Sequence, residues 1–121
     1  MKNELPDFEF TFFEGLVKRD PRYVEALIPL AELYTKMGLY EKGLEIDRRL
    51  AELKKDDAVI HYNLACSYAL VNQPKQAFKA LTRAIRLGYR DFEYMKRDRD
   101  LVKLHAHPEF QRLTQAGKNK K

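Results

Sequence analysis

One cysteine, Cys66, is all the thiol chemistry this chain has, so no internal disulfide can form and no cysteine pair stands at metal-binding spacing. Such usage agrees with a reducing compartment. Glycine and proline are scarce, five of each, which argues against long irregular loops. No apolar run approaches the roughly 18 residues that a bilayer-crossing helix needs. The first residues, MKNELPDFEF, carry acids where a secretory signal would carry an apolar stretch. The expected location is therefore cytoplasmic. Alternation of apolar and polar residues, the mark of a half-buried strand, never lasts more than a few positions. A glycine-rich phosphate loop, G-x-S-x-G and H-E-x-x-H are all missing. What remains is a chain of 121 residues, 45% of them hydrophobic, which suits one modest domain with a core of its own.

Helical periodicity runs through it. Leu27, Leu30, Ala31 and Tyr34 recur at i, i+3, i+4 and i+7, and His61, Leu64, Ala65 and Tyr68 do so again 34 residues later. The same shift lays Leu50 and Ala51 on Ala84 and Ile85, and Gly43 on Ala77. A double shift sets Pro6 against Pro74, and Phe13, Leu16 and Val17 against Leu81, Ala84 and Ile85. On this reading the chain is expected to begin halfway through a repeat unit.

This pattern resembles the tetratricopeptide repeat, a helix-turn-helix unit with the signature W-x2-L-G-x2-Y, then A-x3-F, then a closing proline. Leu27-x2-Leu30-Ala31-x2-Tyr34 and His61-x2-Leu64-Ala65-x2-Tyr68 match the first element, with Leu27 and His61 in place of tryptophan. Ala77 and Leu81 keep the second, Gly43 and Asp47 keep only its small residue, and the closing proline survives at Pro21 but gives way to Lys55 and Tyr89. The resemblance implies an all-α fold of antiparallel helix-turn-helix repeats stacked in a short right-handed solenoid. It divides residues 1–116 into a half repeat at 6–20, full repeats at 21–56 and 57–90, and a capping segment at 91–116, before a disordered basic tail at 117–121. Ala31 and Ala65 would let the first helix of each unit lie close to its second, and Gly43 and Ala77 would let the second helix accept the next unit. The capping segment is similar to one found after the last repeat in many bacterial members, through Asp98, Asp100, Leu101, Leu104, Pro108, Phe110 and Leu113. Its apolar side chains would cover the open end of the array.

Punctuation sets the helix limits. Asp20 before Pro21 reads as an N-cap, Gly38 and Gly88 as C-terminal stops, and Asp56 or Asp57 as the cap of the next helix. The helices predicted are 6–19, 21–37, 40–54, 57–71 and 74–87.

Residues that invite a catalytic reading have plainer ones. His61 and Cys66 are separated by about 140 degrees around a helix, too far for a nucleophile and base pair, and His61 reads as core. His105 and His107 form an H-x-H with no cysteine or third histidine nearby; His107 suits the start of the helix opened by Pro108. Asp98 and Asp100 read as caps. Neither enzymatic activity, nor a cofactor, nor a metal is expected.

A binding role fits better. Following the family resemblance, a protein or peptide segment would lie in a concave groove lined by Glu25, Ile28, Glu32 and Thr35 of the first unit and Val59, Tyr62, Cys66 and Ala69 of the second. Such a segment would set an apolar side chain against Ile28, Val59 and Tyr62 over a shallow floor of Cys66 and Ala69, and a basic one near Glu25 or Glu32. The competing expectation is that a terminal segment of the chain folds over this face. Capture of a C-terminal carboxylate is not expected, since only Asn63 matches a clamp residue. Charge supplies the alternative function: residues 1–74 carry ten Lys or Arg against thirteen Asp or Glu, and residues 75–121 carry thirteen against five. Lys75, Lys79, Arg83, Arg86 and Arg90 align as one stripe, which would meet a polyanion such as nucleic acid or acidic lipid. No aromatic residue interleaves the stripe for base stacking, so nucleic acid is the less expected partner. Phe8, Phe10, Phe12 and Phe13 crowd the first helix, and any rings left uncovered there would favour a weak homodimer.

Overall fold

The computed structural model describes residues 4–119, and the chain is all-α: no strand occurs among the described residues. These residues form seven α-helices in order, α1 (Glu4–Arg19), α2 (Val24–Lys36), α3 (Tyr40–Leu53), α4 (Ala58–Leu70), α5 (Pro74–Arg86), α6 (Phe92–Arg97) and α7 (Pro108–Asn119), with a 3-10 helix at Arg99–Leu104 between the last two. Each of the first five packs on its neighbour in sequence, while the 3-10 helix lies on α4 and α7 on α5 and α6. Among the described residues no helix is long and apolar enough to cross a membrane.

The 34-residue offset reappears as geometry. Helices α2 and α4 both have 13 residues, and both their first and last positions differ by 34. Both end in the same way. Gly38 (φ 78°) and Asn72 (φ 64°) take the left-handed conformation one residue past the C-cap, and the Leu39 and Gln73 N–H groups donate back to the Tyr34 and Tyr68 carbonyls at 2.8 and 2.9 Å. Asparagine tolerates this backbone better than other side chains, so Asn72 does in the second unit what Gly38 does in the first. Gly88 (φ 116°) ends α5 in the same fashion.

Several helix starts differ from expectation. Asp20 does not cap α2: its carboxylate accepts from the Arg22 N–H at 3.2 Å in a local turn, and the helix begins only at Val24. Asp57 caps α4, accepting from the N–H groups of Val59 and Ile60 at 3.0 and 3.1 Å. The expected disordered tail is shorter than drawn, because α7 continues to Asn119; Lys120 and Lys121 lie outside the described residues.

Two apolar clusters form the core. One joins α1, α2 and α3 through Val17, Leu27, Leu30, Ile46 and Leu50; the other joins α4 and α5 to the closing segment through Leu81, Met95, Leu101, Leu104 and Phe110. Ala51 packs against both. Gly43 is placed otherwise than expected, since it faces its own unit: a Cβ there would meet Thr35 Oγ1 at 3.2 Å and the Ala31 carbonyl at 3.7 Å, both on α2. Asp47, at the place held by Leu81 in the next unit, is 5% exposed and accepts a hydrogen bond from the Ser67 hydroxyl of α4. Burial pushes its carboxyl up to about 6, with the Ser67 bond opposing and Glu32 adding to the shift.

Gly43→Leu is expected to force α2 and α3 apart and to cost about 1–3 kcal/mol in urea unfolding; an unchanged midpoint would show the contact to be slack. The folded chain holds the Asp47 proton to about pH 6, against 3.8 ordinarily. The stability from that proton is complete below pH 3.8 and is lost as pH climbs through 6. Asp47→Asn should therefore gain on the wild type by on the order of 2 kcal/mol between about pH 4 and pH 7. Parallel stability profiles for the two proteins would contradict this.

Candidate functional site

The inner faces of α2 and α4 and the closing segment enclose an open groove of about 760 Å3. Two apolar side chains expected there stand uncovered at its edge, Ile28 at 40% and Val59 at 56% exposure. Glu32 and Thr35 also line it, the Thr35 hydroxyl donating to the Ala31 carbonyl at 3.1 Å. Glu25 is exposed but is not part of the lining.

The second unit departs from the expected open floor. Tyr62, Cys66 and Ala69 are 4%, 7% and 2% exposed, because the chain beyond Gly88 returns across α4. Tyr89 stacks on Tyr62 with ring centroids 4.3 Å apart and planes inclined by 3°. The Tyr62 hydroxyl donates to Asp98 Oδ2 at 2.6 Å, and the Cys66 thiol approaches the same oxygen at 3.7 Å. Ala69 lies apart from the groove, beside a separate hollow that it shares with Leu104 and His107. This half is covered within the chain, but by an internal stretch, Tyr89 through Leu104, rather than by a terminal segment, so Cys66 and Ala69 are buried instead of forming an open floor.

Asp98 does more than cap. Its Oδ1 accepts from the Asp100 N–H at 3.0 Å, starting the 3-10 helix, while Oδ2 serves Tyr62. Burial and the charge of Asp98 push the Asp100 carboxyl up, and Asp98 does the same to the Tyr94 hydroxyl. Cys66, Asp98 and Asp100 offer ligand atoms within 4.8 Å of one another. They suit a metal poorly. Burial pushes the thiol up, so the thiolate a soft metal needs is disfavoured, and both Asp98 oxygens are already engaged.

The groove is acidic, with Glu32, Asp47, Asp57, Asp98 and Asp100 in its lining against Lys36. Counting charge along the chain hid this, since two of these acids come from the strongly basic C-terminal part. Tyr89 and Tyr94 were also missed as lining residues. A local signal existed for one of them: Asp91 starts α6 by accepting from the Tyr94 N–H at 3.1 Å, and Phe92 and Met95 follow at i, i+3 spacing, both buried.

No family model matches the chain. It is 34% identical over 83 residues to a chloroplastic protein of Arabidopsis thaliana, a match that takes in 66% of this chain and 25% of that protein. The chain spans about a quarter of the length of this curated relative.

Elsewhere the candidate residues have local employment. His61 is not core: half-buried, its Nε2 lies 2.9 Å from the Lys55 carbonyl oxygen. His105 Nε2 lies 3.3 Å from the Met95 carbonyl, and the His107 ring packs edge-on to Phe78, so the H-x-H pair faces different neighbours. On α5, Lys75, Lys79, Arg83 and Arg86 are exposed along one side. Arg83 pairs with Asp56 at 3.5 Å. Arg90 lies beyond the helix and leaves the stripe, because the left-handed Gly88 turns the chain; its guanidinium donates to the Ile85 and Tyr89 carbonyls at 2.8 and 3.1 Å. On α1, Phe10 and Phe13 pack inward, while Phe8 and Phe12 are 70% and 53% exposed.

Tyr62→Phe keeps the stacked ring but deprives Asp98 of a buried donor, and is expected to cost about 1.5–3 kcal/mol. Tyr62→Ala also empties the space under Tyr89 and should cost about 3–5 kcal/mol. Urea unfolding of the three proteins measures both steps; equal midpoints for wild type and Tyr62→Phe would mean that the hydrogen bond contributes nothing net.

Proposed function

We propose that the protein is a non-catalytic scaffold of the tetratricopeptide-repeat kind, a short solenoid that holds a segment of a partner protein in the groove between α2, α4 and the closing segment. The observation that carries this reading is the pair Ile28 and Val59, apolar and uncovered on facing helices at the edge of a 760 Å3 groove. Exposed aliphatic side chains over a concave surface are what a docked side chain would cover. The recurrence of α2 in α4, residue for residue in length and offset, supports the repeat architecture. Cytoplasmic placement belongs to the same proposal and is supported by a free, buried thiol. The exposed rings of Phe8 and Phe12 support a weak self-association through α1 as a secondary contact.

The alternative, polyanion binding by the α5 stripe, draws on exposed Lys75, Lys79 and Arg86. It is weakened by the engagement of Arg83 and Arg90 elsewhere. Affinity capture from extracts of the source cell, followed by measurement of the purified partner, separates the two. Ile28→Glu and Val59→Glu are each expected to weaken a groove-bound partner at least tenfold, with Lys79→Glu within twofold of wild type. The reverse pattern, with binding abolished near 0.3 M salt, would replace the groove by the stripe.

A further inference from the structure

The chemistry inside the groove narrows what it would hold. Ile28 and Val59 offer apolar contact, and among the charged residues of the lining five carboxyl groups stand against Lys36 alone. Three of these acids are already occupied: Asp57 caps α4, Asp47 accepts from Ser67, and Asp98 accepts from Tyr62 and the Asp100 N–H. Asp100 and Glu32 remain turned to the open space, half-buried and exposed respectively. Among the described residues no lysine or arginine nitrogen stands within 4.0 Å of Asp98 or Asp100, whereas Glu45, Asp56 and Glu109 each have an arginine inside that distance. Two neighbouring carboxylates thus line the groove without an ion-pair partner. Beside them stands Tyr94, 44% exposed, its ring centroid 6.4 Å from that of Tyr62. Carboxylate oxygens next to an open aromatic face are complementary to an organic cation, whose positive charge both attract.

We propose, resting on the reading that the groove binds a peptide, that its occupant is a basic segment whose arginine places its guanidinium on Asp100 beside Asp98, under the ring of Tyr94, while an aliphatic side chain of the same segment covers Ile28 and Val59. Arginine fits this arrangement better than lysine. Its flat guanidinium donates in its plane to a carboxylate while presenting a face to an aromatic ring, whereas an ammonium is a compact, strongly hydrated charge. An acidic segment or a free C-terminal carboxylate is repelled by the same groups. The net charge of +5 over the whole chain does not oppose this, because at physiological salt a charge acts over about 8 Å and the groove's own acids are nearest.

Panning a phage-displayed random dodecapeptide library on the full chain tests the inference, with selected peptides then measured by fluorescence anisotropy. Arginine-containing peptides with an aliphatic residue are expected to be enriched. Asp100→Asn should weaken them at least tenfold, and replacing their arginine by the neutral isostere citrulline should weaken them equally, with no further loss when both changes are combined. The citrulline peptide gives the same reading without altering the protein, should Asp100→Asn fold poorly. Enriched peptides that lack a basic residue, and that are weakened by Ile28→Glu but not by Asp100→Asn, would overturn the cation subsite and leave the groove reading standing. No enrichment, or peptides indifferent to both Ile28→Glu and Asp100→Asn, would overturn the two together.

Discussion

The hydrogen bond from Tyr62 to Asp98, 2.6 Å long and shut away from solvent, joins the middle of the chain to its closing segment across 36 residues of sequence. Around it the Tyr89 ring lies flat on Tyr62, and the other Asp98 oxygen starts the 3-10 helix that brings Leu101 and Leu104 into the core cluster with α4 and α5. A buried carboxylate without such partners would be costly, so the donors and the acid require one another. The bond also decides what the concave face looks like. By drawing the closing segment over α4 it covers Cys66 and Ala69, and it carries Asp100 and Tyr94 to the groove wall.

The two repeat units depart from one another where polar or small residues enter the core. Asp47 stands where the second unit has Leu81, and its burial is offset by the Ser67 hydroxyl, one helix further on. Gly43 stands where the second unit has Ala77, and the missing methyl lets α3 approach the Thr35 hydroxyl of α2. Both substitutions sit near the groove rather than at the outer ends of the helices, Asp47 in its lining and Gly43 against Thr35, another lining residue. The first unit therefore gives up some apolar packing to shape and charge this surface, which is the kind of local inconsistency expected next to a working site.

Charge is distributed in depth as well as along the chain. The exposed side of α5 is basic, while the groove is acidic even where its residues come from the basic part of the sequence. A molecule with these two faces would orient an approaching basic segment toward the groove at short range and keep other cationic surfaces away from α5. The proposed arginine site depends on this arrangement, and the proposed scaffold role depends on the uncovered Ile28 and Val59.

The sequence by itself determined the all-α class, the start of α3 at Tyr40 and α5 at Pro74, a cap at Asp56 or Asp57 that the structure resolves to Asp57, and the residues that close the core from Leu101 to Phe110. These follow from 3.6-residue periodicity and from the left-handed turns at Gly38 and Gly88, which act over a few neighbouring residues and can be read locally. Of the residues that the family resemblance assigned to a groove, Ile28, Glu32, Thr35 and Val59 are among those lining the groove between α2, α4 and the closing segment. The delayed start of α2 escaped sequence reasoning because Asp20 had a rival local bond, to the Arg22 N–H, that competes with capping. Only the tertiary structure decided that Tyr62 would be buried, that Gly43 would face its own unit, that Arg90 would turn back on α5, and that Asp98 and Asp100 would join Glu32 and Asp47 in the lining of one groove. The burial of Tyr62 and the gathering of the acids rest on contacts between residues far apart in the sequence, such as Tyr62 with Asp98 and Asp47 with Ser67. No periodic pattern specifies such pairs, because which side chain covers a helix face depends on where the returning chain can find both an apolar surface and a donor for each buried acid.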